Sequence, residues 1–117
     1  MTQPDQLPFS KTRALGELLF LSGEMAIASD GSVPAGIEAQ TALAIRRIED
    51  TLRGHGLALA DVVSITAHLV NPADFAAFNR VYAELFPQPR PVRTTVRADL
   101  MLPGALVELT AIASRPR

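Results

Sequence analysis

The stretch Val62-Val63-Ser64-Ile65-Thr66-Ala67-His68-Leu69-Val70, followed by Asn71-Pro72-Ala73-Asp74, decides how the chain is read. Its β-branched residues and the flanking Asp61 and Asn71-Pro72 predict a largely buried strand. Asn71 then fits an N-cap, Pro72 a first helical turn, and Asp74 the positive end of the helix dipole. The following helix is expected from about Ala73 to Leu85, with Phe75, Phe78, Val81, Tyr82 and Leu85 as its apolar face. Pro87, Pro89 and Pro91 stop it.

Two more strands are expected after those prolines, about Arg93 to Ala98 and Leu106 to Ala113, separated by Leu102-Pro103-Gly104. Upstream, Ile37, Ala44, Ile45, Ile48 and Leu52 recur at helical spacing between Ile37 and Arg53. Gly54 or Gly56 ends that helix through a left-handed cap. A loop rich in Ser, Gly and Pro covers Ala28 to Gly36. Before it, Leu18-Leu19-Phe20-Leu21-Ser22-Gly23 predicts a strand whose hairpin partner is Lys11 to Leu15.

The resulting order is strand, strand, helix, strand, helix, strand, strand, an α+β single domain over residues 1–117. Two helices of this length cover one face of a sheet, so the other is left to water or to other subunits. A chain of 117 residues buries roughly two thirds of its unfolded surface, enough for one modest core.

Composition excludes several kinds of chemistry. The net charge is -1, with scattered arginines and a single lysine, Lys11, which offers no basic stripe for a nucleic-acid backbone. No cysteine is present, so disulfides, thiolate metal sites and a cysteine nucleophile are absent. His55 and His68 lack metal-ligand spacing, and no phosphate-binding glycine loop, dinucleotide fingerprint or nucleophile elbow occurs. His55, at a helix end, is expected to cap it or meet its dipole; His68 is expected to be a satisfied structural histidine. Without a membrane-length apolar run or a basic-then-apolar N-terminus, a cytoplasmic protein is expected.

The residues suited to chemistry are few. Pro91-Val92-Arg93-Thr94-Thr95-Val96 places an arginine, whose guanidinium matches a carboxylate bidentately, at the start of a strand. From pattern alone Arg93 reads as a solvated surface residue, because most arginines are exposed. Glu108, within Ala105-Leu106-Val107-Glu108-Leu109, is either on a solvent face or held for proton handling. Asn79 reads as an ordinary helix-surface residue, and Gly23 as a residue that permits a bend.

Taken together, Pro8-Phe9-Ser10, Leu19-Phe20-Leu21-Ser22-Gly23-Glu24, Asp74-Phe75-Ala76-Ala77-Phe78-Asn79-Arg80-Val81-Tyr82, the Arg93 strand and Ala105 to Ala113 resemble the RidA (YjgF) family along nearly the whole chain. The resemblance implies a chorismate-mutase-like fold, a homotrimer with a central β-barrel and outer helices, and clefts between subunits. It implies cofactor-free hydrolysis of reactive enamines and imines, such as 2-aminoacrylate, 2-iminopropanoate and 2-iminobutanoate, to 2-oxo acids and ammonia. By the same resemblance Arg93 holds the substrate carboxylate and Glu108 assists water, while Asn79, Ser22, Gly23, Phe9 and Thr95 line the cleft. Phe9 stands where the deaminases usually have tyrosine, Thr95 where cysteine is frequent, and Glu24 where glutamine is usual. A non-catalytic trimer that binds small 2-oxo acids or acts as a chaperone is the alternative, and ribonuclease activity a third.

Overall fold

A computed structural model describes residues 7–116. The strands are β1 (Thr12–Leu15), β2 (Leu18–Leu21), β3 (Glu24–Met25), β4 (Val62–Leu69), β5 (Val92–Arg97) and β6 (Val107–Ser114); the helices are α1 (Ile37–Arg53) and α2 (Phe75–Leu85). The sheet order is β1-β2-β6-β4-β5, with β3 also paired to β6. Among the described residues only β4 and β5 run parallel, joined by the α2 crossover, so the sheet is mixed.

Alternation sets the two faces. Along β6 the side chains of Val107, Leu109, Ala111 and Ala113 are buried, while Glu108, Thr110, Ile112 and Ser114 are half-buried. The buried set joins Ile65, Ala67 and Leu69 of β4 and the inner stripes of both helices, Ile45, Ile48, Leu52, Phe78 and Tyr82, in one core. Both helices therefore lie on one sheet face. The opposite face leaves Leu15, Leu18, Phe20, Val63, Val92 and Val96 exposed.

Three local details differ from the sequence reading. The strand expected at Leu18 to Gly23 breaks into β2 and β3. From Phe20↔Ile112 to Glu24↔Leu109 the register advances four residues on one side and three on the other, which is a bulge at Leu21 to Gly23. The extra residue reverses the alternation, so Leu19 and Leu21 point to the core and then Glu24 and Ala26 do.

The second helix begins later than expected. Asn71 does cap, accepting from the Ala73 amide at 2.9 Å, but Pro72–Asp74 form a 3-10 turn before α2 starts at Phe75. Phe75, expected in the core, is 44% exposed.

Between the two candidate caps of α1 the structure selects Gly56. Gly54 keeps helical angles, whereas Gly56 has φ 72°, and the Leu57 and Gly56 amides donate to the Leu52 and Arg53 carbonyls. This is a Schellman end, closed by the buried Leu52 and Leu57 side chains.

The helix stripe also includes buried Gln40 and Thr41. The Gln40 amide donates to the Pro34 and Gly104 carbonyls, both at 2.9 Å, and its oxygen accepts from the Leu106 amide at 2.8 Å. One side chain thus ties α1 to the loops at both of its flanks, which satisfies backbone groups that the core would otherwise strand.

Candidate functional site

Arg93 lies on the helix-bearing face of β5, beside Ile65 of β4 in the parallel register. Its Nη2 donates to Asn79 Oδ1 at 2.7 Å. The guanidinium carbon is 4.7 Å from the Tyr82 ring centroid, 5.2 Å from Phe78 and 5.8 Å from Phe75. Asn79, Phe75, Phe78 and Tyr82 all project from α2 at helical spacings, so one helix supplies both the hydrogen-bond acceptor and the aromatic shelf.

Among the described residues Asn79 is the one hydrogen-bond partner of the Arg93 guanidinium, which leaves donors of the fork available to a carboxylate. Helix α2 is itself fastened to α1 by Arg80 and Glu38, 2.8 Å apart. The Tyr82 hydroxyl is buried with no partner among the described residues; desolvation raises its pKa above the usual 10.0, against the opposing pull of Arg93 and Arg90. Thr95 follows Arg93 on the same strand face and lines an apolar cavity with Phe75.

Glu108 lies elsewhere. It is opposite Met25 on one side and His68 on the other, on the sheet face without helices. Its carboxyl group leans over Gly23: a Cβ placed on that glycine would stand 2.8 Å from both Cδ and Oε2 of Glu108. Gly23 is thus needed for close approach, beyond permitting a bend.

The neighbouring Ser22 is held by the segment before β1, its amide donating to the Lys11 carbonyl at 3.0 Å and its hydroxyl to the Ser10 carbonyl at 2.6 Å. Phe9, Lys11, Ser22, Gly23, Glu24 and Arg47 contribute to an open cavity of about 660 Å³. Glu24, turned inward by the bulge, accepts from Arg47 Nε at 2.5 Å, and Arg47 also donates to the Ile27 carbonyl.

The seven residues singled out from the sequence therefore fall into two groups. Arg93, Asn79 and Thr95 gather under α2; Ser22, Gly23, Phe9 and Glu108 gather at the bulge. One chain does not bring the two groups together. Arg47 and the Phe75–Tyr82 shelf were missed, because periodicity marks aromatic residues as core and says nothing of which cation a bulge exposes to Glu24.

Of the two histidines, His68 differs from its expected role. His55 shares a 3.3 Å hydrogen bond with the Thr12 hydroxyl, and its carbonyl accepts from Arg115. His68, expected to be satisfied, buries Nδ1 with no partner among the described residues. No helix among the described residues is long and apolar enough to cross a membrane.

The sequence matches the family model described as Endoribonuclease L-PSP over residues 3–115. It is 37% identical over 110 residues to "Protein mmf2, mitochondrial" of Schizosaccharomyces pombe, covering 92% of this chain and 87% of that one. It is 32% identical over 114 residues to "3-aminoacrylate deaminase RutC" of Acinetobacter baylyi, covering 96% and 90%. The crystal structure of E. coli TdcF with bound serine superposes with a TM-score of 0.87 at 26% identity, covering 93% of this chain and 89% of that one. The match along nearly the full chain, in sequence and in fold, shows that this protein belongs to the endoribonuclease L-PSP family, the YjgF/RidA family its sequence resembles.

Proposed function

We propose that this protein is a cofactor-free deaminase that hydrolyses 2-imino acids, and their enamine tautomers, to 2-oxo acids and ammonia. The observation that carries the reading is Arg93, held by Asn79 and three rings with the rest of its fork unpaired among the described residues. Such a group binds a small carboxylate and orients the adjacent C=N carbon. Relatives named as deaminases support the same chemistry.

Water must add to that carbon. Its oxygen forms the new C–O bond as one water proton passes to Glu108 and from there to the nitrogen. The second water proton then leaves the hydroxyl for the nitrogen by the same carboxylate, the C=O bond forms as the C–N bond breaks, and ammonia departs with Glu108 again ionised. No electrons are exchanged, and the atoms of imine plus water equal those of oxo acid plus ammonia.

A complete site requires Arg93 of one subunit and Glu108 of another, since the two face opposite sides of one sheet. A homotrimer, its sheets closed into a central barrel, would bury the apolar face that carries Leu18, Phe20, Val92 and Val96 and place the two groups across a subunit boundary. We assign this assembly, with a cytoplasmic location, to the proposed function. Phe9 offers a ring without a hydroxyl, and Thr95 a hydroxyl without a thiol, so substrate contacts there are apolar or weakly polar.

The serine-bound relative favours a second reading, a trimer that binds small acids without turnover. The test is ammonia and pyruvate release from freshly generated 2-iminopropanoate. Loss of an arginine-to-carboxylate contact is expected to lower kcat/KM of Arg93→Ala on the order of 100-fold, about 3 kcal/mol. Equal rates for both proteins reject the role of Arg93; binding of 2-oxo acids without any turnover selects the second reading. A nuclease reading has no support from the net charge of -1.

A further inference from the structure

We propose that Arg47 is a positioning residue for the reaction: through the Glu24 carboxylate and the Ile27 carbonyl it holds β3 where Gly23 comes to lie beneath the Glu108 carboxyl. The inference rests on Glu108 assisting water in the proposed deaminase.

β3 needs such a hold. It is two residues long, between the bulge at Leu21 to Gly23 and the loop that starts at Ala28. A pairing this short, next to a bulge that leaves one residue unpaired, sets position weakly. Yet it borders the place where water would be handled. Met25 stands opposite Glu108 in the register, and the Glu108 carboxyl leans over Gly23.

Arg47 supplies the hold from α1. Its Nε donates to Glu24 Oε1 at 2.5 Å and its Nη1 donates to the Ile27 carbonyl, so one planar guanidinium grips β3 before and after the buried Ala26. Ile45 and Ile48, on either side of Arg47 in the helix, are fully buried, which ties the grip to the core itself.

Stability alone is a weak account of the pair. The two side chains are 29% and 11% exposed, and an ion pair shielded to that degree is often no more stabilising than well-packed apolar residues. What apolar residues do not supply is direction. Arg93 lies on the other face of the sheet, beneath α2, so loss of the hold should spare carboxylate binding and slow the addition of water.

Two variants separate the bond from the charge. Glu24→Gln keeps an oxygen for Arg47 Nε and removes the charge. Glu24→Gln combined with Arg47→Met removes the bond and leaves no charge unpaired. Turnover of 2-iminopropanoate and amide hydrogen exchange of residues 22–28 are measured on both and on the unaltered protein. Glu24→Gln is expected to stay within about twofold of the unaltered kcat. The double variant is expected to lose kcat on the order of 10- to 100-fold at unchanged KM, as a misplacement of about an ångström does. Its residues 22–28 should exchange faster while its Tm stays close to the unaltered one. Arg47→Lys, which keeps the cation but not the fork, is expected to fall between the two and carries the same comparison should the double variant fail to fold.

An unaltered kcat in the double variant overturns the positioning role and leaves the deaminase reading standing, since the pair then serves stability alone. An equal loss in Glu24→Gln and the double variant also overturns it, because the charge and not the hold would be what matters. If the unaltered protein turns over no imine, the deaminase reading fails by itself and exchange decides the hold: faster exchange confined to residues 22–28 upholds it, and unchanged exchange overturns it.

Discussion

Arg93 and Glu108 stand on opposite faces of the same sheet. Arg93 is beside Ile65 beneath α2, and Glu108 is beside His68 and Met25 on the face without helices. A substrate bound to one cannot be served by the other within a single chain, because the sheet lies between them.

Arg93→Ala and Glu108→Gln are therefore expected to complement each other. Each alone is expected to lose activity on the order of 100-fold; after mixing under conditions that exchange subunits, about a quarter of unaltered activity returns, because one boundary in four pairs an intact arginine with an intact glutamate. Ammonia release from 2-iminopropanoate measures this. Mixed protein as inactive as its parents counts against a shared site.

Gly23→Ala separates chemistry from stability. The new Cβ would meet the Glu108 carboxyl at 2.8 Å, but that group is the far end of a flexible side chain and can swing away. Activity is expected to fall at least tenfold, about 1.4 kcal/mol, with a Tm change of only about 2 °C. Glu108→Ala in the same chain should remove what destabilisation there is. A large Tm loss that persists in the double variant would show that the glycine serves the backbone instead.

Tyr82→Phe is expected to stabilise the protein, against the usual sign for a core substitution. The hydroxyl is buried with no partner among the described residues, and relieving it is worth about 1 kcal/mol. The pH dependence follows from the raised pKa. Folding favours the protonated phenol, so its contribution is fully present below the unfolded value of 10.0 and is lost as pH rises through the higher folded value. Urea unfolding across that alkaline range should show a steeper loss for the unaltered protein than for Tyr82→Phe.

Arg47→Met should cost about 2–3 kcal/mol, since it leaves the inward Glu24 carboxylate without its cation. Glu24→Gln in the same background is expected to restore most of the loss, because a neutral amide tolerates that environment. Guanidinium unfolding of the two proteins decides it. Similar stability for both would mean that the bulge admits enough water to solvate Glu24 alone.

Much of the fold was legible because it depends on local signals. The β-branched run at Val62 to Leu69, the stripe from Ile37 to Leu52 and the Asn71-Pro72 start each declare themselves through a period or a cap. The bulge at Leu21 to Gly23 was not legible. Leu18 to Gly23 reads as one strand, and only pairing with β6 shows that an extra residue reverses which side chains face inward. Phe75 was misplaced for a similar reason, since a 3-10 turn shifts the helical phase without changing the spacing of the aromatics.

The sequence by itself determined an α+β chain with two amphipathic helices, one uncovered sheet face, no thiol chemistry, and an arginine and a glutamate worth attention. Only the tertiary structure decided that Arg93 rests on an aromatic shelf beside an apolar cavity while Glu108 leans over Gly23 on the other side of the sheet. The physical reason is that a strand's alternation fixes which residues share a face, whereas strand order and the bulge, set by long-range pairing, fix what each face meets.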